Sequence, residues 1–233
     1  MEYIHNTEQF QFHNTVVALG KFDGMHKGHQ LIFDELIQYK QLGYQAAVFS
    51  FDRPPLNMLK HKHMRVIYTT NEKIKLLARR GIDIYIEHPF TDEFSHLSPE
   101  DFVIKVLLEK TGMKVLVVGD DCGFGYKRQG NVELLERMSK EYDFKLIVIP
   151  KLELEGEIVS STRIRHLLSE GKVEEANRLM EDPFMICGSV VHGNHMGAEV
   201  LQMPTANQIP LEDKLLPPNG VYVSRIHYKD ETY

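Results

Sequence analysis

Residues 15–30 read TVVALGKFDGMHKGHQ. TVVALG (15–20) is short, apolar and rich in β-branched residues, and it ends in a glycine, the pattern of a buried strand. GKFDGMHKGHQ (20–30) follows, with Gly20, Gly24 and Gly28 at turn positions and His26 and His29 at the entry to a helical pattern. That pattern runs from His26 to Gln41, with Leu31, Ile32, Leu36 and Ile37 on one face. A strand, a tight turn and a helix start in this order bring unpaired amides and the positive end of a helix dipole to the strand's carboxyl end. Such a place binds anions. Two imidazoles added there can donate hydrogen bonds to a phosphate whose charge grows in a transition state. Histidines three apart also suit a metal pair or a plain surface, but the strand–turn–helix placement favours phosphate.

The alternation continues. QAAVFSF (45–51), IDIYIE (82–87), VLVVG (115–119) and KLIVIP (145–150) read as strands. Residues 72–80, 99–110 and 132–142 read as the intervening helices, the second with Pro99 in its first turn. Strands and helices at this spacing predict βαβ units, a Rossmann-like, doubly wound parallel α/β sheet with helices on both faces. Ligands in such sheets bind beyond the carboxyl ends of the strands. The two strand ends richest in chemistry are those after Gly20 and Gly119. Two further helices are expected, one opened by SST (160–162) and closed by Gly171, the other over 172–180.

After Pro183 the texture changes to short strands, glycine turns and prolines, as in GSVVHGNHMGAEVLQMPTAN and LLPPNGVYVSRIHY. This predicts the start of an antiparallel barrel and a division into residues 1–182 and 183–233. The 233 residues carry 27 Lys and Arg against 33 Asp and Glu, a net charge of −6 with 42% hydrophobic residues. Neither part is a basic patch, so no nucleic-acid partner is expected. No apolar stretch reaches membrane-spanning length, and MEYIHNTEQF lacks a signal pattern. Only Cys122 and Cys187 are present, too few for a disulfide scaffold or a CxxC metal site. A cytoplasmic location is expected. His61 and His63 in KHKHMR read as a solvated loop, and Cys122 as a small buried residue.

Two more motifs carry chemistry. In VSSTRIR (159–165), Ser160, Ser161 and Thr162 suit a helix N-cap, and Arg163 and Arg165 supply forked donors for phosphate oxygens. VVGDDCGFGYKRQG (117–130) is not a dinucleotide fingerprint, because GxGxxG fails at Arg128, and there is no GxxxxGK[ST] loop.

GxFDGxHxGH resembles the HxGH motif of nucleotidyltransferases. With VGDDCGFGYKRQG, SSTRIR and PFTDEFSHLSPEDFV (89–103), the chain resembles the bacterial FAD synthetases over nearly its whole length. In these two-domain enzymes one module adenylylates FMN and the other phosphorylates riboflavin. The resemblance implies an FMN adenylyltransferase with ATP and FMN as substrates, FAD as product and Mg²⁺ held by substrate phosphates rather than by protein side chains. It implies His26, His29 and Arg163 as catalytic residues, and Gly20, Phe22, Asp23, Gly24, Gly28, Ser160, Ser161 and Thr162 around the nucleotide phosphates. Phe90, Thr91, Asp121, Phe124, Gly125 and Arg128 would line the flavin and nucleotide pocket, with Asp23 fixing the first turn and Arg128 pairing with the FMN phosphate.

The chain departs from the family at Cys122, which replaces a Phe, and at Pro54 in FDRPP, which replaces a His. GNHMGAEVLQMPTAN resembles the riboflavin kinase element GxxxGRxxGFPTAN. Thr205 and Asn207 of PTAN are kept; Ala198 replaces the Arg, and Gln202-Met203 the Gly-Phe. The chain stops at Tyr233, ahead of the family's catalytic Glu. The expectation is therefore a silent kinase remnant whose strand edges favour self-association. Two alternatives remain open at this point: transfer to another phosphate acceptor, and a non-catalytic flavin-binding regulator in contact with RNA.

Overall fold

Six strands run parallel in one sheet: β1 (Glu2–His5), β2 (Thr15–Leu19), β3 (Gln45–Phe51), β4 (Ile84–His88), β5 (Met113–Gly119) and β6 (Lys145–Ile149). Their spatial order is β1-β4-β3-β2-β5-β6. The computed structural model describes residues 1–52, 65–191, 206–228 and 231–232. The central strand β2 is buried along all five residues, which is why its sequence shows an unbroken apolar run. Alternate residues serve opposite faces. Val16 and Ala18 join a core with Ile32, Phe33 and Leu36 of α1 (Lys27–Gln41). Val17 and Leu19 join a second core on the other face.

Helix α2 (Thr70–Arg79) shares the first core through Leu76 and Leu77. It starts at a capping box. The Thr69 side chain accepts the Glu72 N–H, and the Glu72 carboxylate accepts the Thr69 N–H at 2.8 Å. A short α3 (Asp92–Ser95) follows β4. Pro99 opens α4 (Pro99–Asp101), which widens at once into a π-helical stretch, Phe102–Leu108. The Glu109 and Thr111 amides reach back five residues, to the carbonyls of Ile104 and Val106. This stretch and α5 (Val132–Glu141) fill the second core with Phe102, Val103, Val106, Leu107, Leu134, Leu135 and Met138.

A two-residue hairpin, β7 (Glu153–Leu154) with β8 (Glu157–Ile158), leads into α6 (Ser161–Ser169) and α7 (Val173–Leu179) on the first face. The sheet order reverses beside β2. Chain progression runs outward through β3 and β4 on one side and through β5 and β6 on the other. The crevice between the carboxyl ends of β2 and β5 is therefore the topological switch point, and Gly20 and Gly119 stand there.

Beyond Pro183, β9 (Gly188–Val191) pairs antiparallel with β10 (Asn207–Pro210), and β11 (His227–Tyr228) with β12 (Glu231–Thr232). These are the smaller antiparallel part that the sequence predicts. The break at Pro183 is not a loose linker. The Val66 N–H bonds the Asp213 carbonyl at 2.7 Å, and the Leu215 N–H bonds the Val66 carbonyl at 2.8 Å. Pro54, His61, His63, Ala198, Gln202, Met203 and Thr205 lie outside the described residues. Among the described residues no helix is long and apolar enough to cross a membrane.

Candidate active site

A cleft of about 1010 Å³ opens at the switch point. One wall is the turn 20–29. Its backbone is held in shape by Asp23, whose Oδ1 accepts the amides of Ile67 (2.9 Å) and Tyr68 (3.2 Å) and whose Oδ2 pairs with Arg165. The Ser161 hydroxyl donates to the Asp23 carbonyl. Asp23 thus ties the first motif to the start of α6. Phe22 and Met25 take positive φ values of 48° and 38°. Both are 2% exposed, so their burial offsets that strain.

His26 is the N-cap of α1, and its Nδ1 accepts the His29 N–H at 3.3 Å. A ring that accepts through Nδ1 carries its proton on Nε2, which leaves a donor for a ligand. The two imidazoles stack at 3.6 Å with 17° between planes. Gly28 makes this contact feasible, because a Cβ there would stand 3.1 Å from His26 Nδ1. Burial holds the His26 pKa down at about 4, and burial with the neighbouring His26 holds His29 well below the usual histidine range. Both rings are neutral at pH 7. The Nδ1 of His29 and the Nη1 of Arg163 are enclosed without a protein hydrogen-bond partner. The other Arg163 terminal nitrogen pairs with Glu157 at 2.8 Å. Polar atoms enclosed in this way ask for a partner, and the guanidinium nitrogen can only donate. An anion suits the guanidinium nitrogen.

Ser160 caps α6, accepting the Arg163 N–H at 3.3 Å, and lines the cleft together with Ser161. Thr162 is exposed on the first turn, and neither it nor Arg163, Asp23 or Gly24 lines the cleft. Across the cleft is the loop after β5. Gly20, Phe22, His26, Gly28 and His29 of the 20–29 turn line the cleft together with Asp121, Phe124, Gly125 and Arg128 of that loop. Gly125 has φ 69°, and a Cβ would stand 2.7 Å from the Pro99 Cα, so the loop leans directly on the start of α4. Arg128 lies over Gly123 and makes one long bond, 3.5 Å, to the Asp121 carbonyl. Asp121 pairs with Lys151 at 3.3 Å. Burial, seconded by Asp121, pushes the Cys122 thiol up to about 11, so it is no thiolate nucleophile at neutral pH.

The third wall is aromatic. Phe90 lies 5.5 Å from Phe51 and 5.9 Å from Phe94, and Phe94 5.8 Å from Phe102. His96 stacks on Tyr126 at 5.2 Å. All six line the cleft, but of them the sequence reading singled out Phe90 alone. Thr91 does not line it; its hydroxyl caps α3. Lys21, also missed, lines the cleft beside Arg128. Its signal was its place at the strand end, inside the quoted motif. Asn207 lies exposed in β10 and is not part of this cleft. No group of three His, Cys, Asp or Glu suited to a metal ion occurs among the described residues. The cleft combines donors for phosphate with a wall of aromatic rings packed edge to face.

Residues 8–163 match the FAD synthetase family, and residues 180–233 match the riboflavin kinase family. A bifunctional riboflavin kinase/FMN adenylyltransferase of Buchnera aphidicola from Schizaphis graminum is 38% identical over 226 residues, which cover 96% of this chain and 72% of that one. The Listeria monocytogenes protein of the same name is 35% identical, covering 99% of this chain and 74% of that one. A crystal structure described as a macrolide-efflux protein from Streptococcus pneumoniae superposes with a TM-score of 0.86 at 30% identity, covering 99% of this chain and 76% of that one.

Proposed function

The chain belongs to the FAD synthetase family, and from that membership we propose that it transfers the adenylyl group of ATP to FMN, giving FAD and pyrophosphate. The observation that carries this reading is the switch-point cleft, whose lining combines phosphate donors with a cluster of aromatic rings. An FMN phosphate oxygen attacks the α-phosphorus of ATP in line; the new P–O bond forms as the bond to pyrophosphate breaks. The nucleophile is already an anion, so positioning and charge stabilisation do the catalysis. Neutral His26 donates from Nε2 to the nucleotide phosphates, and His29 provides a second imidazole beside it. Ser160 and Ser161, which line the cleft at the start of α6, hold the departing pyrophosphate, and Arg163 and Thr162 support them from the same helix turn, outside the lining. Phe90, Phe124 and their aromatic neighbours hold the isoalloxazine ring, and Arg128 with Asp121 orients the FMN end.

Mg²⁺ bound to the substrate phosphates would supply further charge to the leaving group. The unpartnered Nδ1 of His29, a residue that lines the cleft, fits a phosphate oxygen of such a complex.

Residues 1–182 are proposed as the transferase unit and 183–233 as the kinase-like unit. The 233 residues together are proposed not to phosphorylate riboflavin. In support, the kinase-like part is formed, among the described residues, by two separate two-stranded sheets, with Val221 and Val223 fully exposed. Ala198, Gln202 and Met203 also depart from the kinase pattern.

Product analysis tests both statements. The purified chain is incubated with ATP, Mg²⁺ and either FMN or riboflavin. FAD from FMN without FMN from riboflavin is the expected result. FMN from riboflavin would overturn the second statement, and no FAD from FMN would overturn the first.

A further inference from the structure

Lys214 belongs to the segment that matches the kinase family, yet its side chain is 0% exposed. Its three N–H donors are all used. They reach the Ile67 carbonyl at 2.6 Å, Glu72 Oε2 at 2.7 Å and the Met185 carbonyl at 2.6 Å. Glu72 is equally enclosed, and its other oxygen accepts the Cys187 N–H at 2.7 Å. The ammonium also sits 4.4 Å from the Phe184 ring and 5.1 Å from the Tyr68 ring.

The peptide strap at Ile67 and Tyr68 is the link. Lys214 holds it through the Ile67 carbonyl, and Asp23 holds it through both amides. Asp23 in turn holds Arg165 and Ser161, and three residues on is His26. A continuous set of hydrogen bonds therefore runs from the kinase-like segment, through one strap, into the phosphate-binding turn.

We infer that Lys214 is a positioning residue for the adenylyl transfer, and that nucleotide binding at the 20–29 turn and docking of residues 184–187 and 211–215 stabilise each other. This rests on the adenylyltransferase reading for its kinetic arm only. The coupling is reciprocal by linkage: what the docked segment adds to nucleotide affinity, the nucleotide adds to docking.

Two measurements on the full chain test it. In the first, hydrogen exchange is followed by mass spectrometry with and without a non-hydrolysable ATP analogue and Mg²⁺. Exchange over 184–187 and 211–215, far along the chain from the HxGH turn, is expected to slow by about fivefold or more when nucleotide binds. In the second, Lys214→Met/Glu72→Gln removes the buried pair without leaving a lone charge. Its kcat/KM for ATP is expected to fall about tenfold while KM for FMN stays within about twofold. A purely structural role would leave exchange in these segments unchanged by nucleotide and would shift both substrates alike; either result overturns the inference. FAD formation by the native chain reads the proposed reaction separately, so the two ideas can fail independently.

Discussion

His26 is 8% exposed, and burial lowers its imidazole pKa from 6.5 to about 4. Unfolding restores the ordinary value. Between about pH 6.5 and 4, then, the unfolded chain binds a proton that the folded chain refuses. Stability contributed by this ring is complete above that window and lost as pH falls through it. At roughly 1.4 kcal/mol per pH unit the loss approaches about 3 kcal/mol, and His29 acts in the same direction. Urea unfolding at pH 7.5, 5.5 and 4.5 reads this out, and His26→Gln is expected to show a shallower decline than the native chain. Equal slopes would mean that His26 is not held neutral. Gly28 separates activity from stability at the same place. It sits in the first turn of α1, where Ala is a better helix former by up to about 1 kcal/mol. Its new methyl, however, would press on His26 Nδ1 from 3.1 Å. Gly28→Ala is expected to keep or raise the thermal midpoint while FAD formation falls by about tenfold or more, a cost of roughly 1.4 kcal/mol at the transition state. A loss of both together would point to misfolding instead.

Among the elements, the loop after β5 depends on α4 for its shape. Gly125 at φ 69° touches Pro99, and Phe124 exchanges backbone bonds with Gly130 at 3.2 and 2.9 Å. Gly125→Ala is expected to cost about 1–3 kcal/mol in unfolding free energy and to weaken FMN binding more than ATP binding. Thermal unfolding and the two KM values check it. The elements also show where the sequence was legible. The inner strands β2 and β5 were readable because burial on both faces leaves apolar runs such as VLVV, and the half-buried edge strand β6 because LIVI is such a run too. β1 was missed because EYIH, an edge strand with polar ends, has no such run. The start of α2 was missed although Thr69 and Glu72 stand at capping-box spacing; the helix was read from Glu72 instead of Thr70. The π-helical stretch at 102–108 has no local signature in the sequence; FVIKVLL reads as an ordinary helix whose Phe102 and Leu107 join the second core. In the cleft, Gly20, His26, His29, Ser160 and Arg128 stood out because they sit in motifs at strand ends and a helix start. Phe94 and Phe102 lie in the quoted stretch 89–103 and Phe51 opens FDRPP, but nothing in the sequence picks out these rings one by one, and only the fold brings them to one wall.

At the scale of the whole molecule, the change in texture at Pro183 was legible as a boundary, but the way the two parts lock together was not. Lys214 in LEDKLLPP looks like any surface lysine, since nothing local predicts that Glu72, 142 residues earlier, will meet it in a dry pocket. Burial lowers the Lys214 pKa against the pull of Glu72, so the ammonium's charge there depends on its partner. Pairs of this kind have a characteristic energetic signature. Removing one partner leaves the other charge buried and uncompensated, at a cost of about 3–5 kcal/mol, whereas removing both charges costs far less. Lys214→Met is therefore expected to destabilise the chain by more than Lys214→Met/Glu72→Gln does, although it changes fewer groups. Denaturant unfolding of the native chain, the two single variants and the double variant closes the cycle. Additive effects would mean that the two side chains do not share one buried site, and that the kinase-like segment rests on the transferase face without being locked to it.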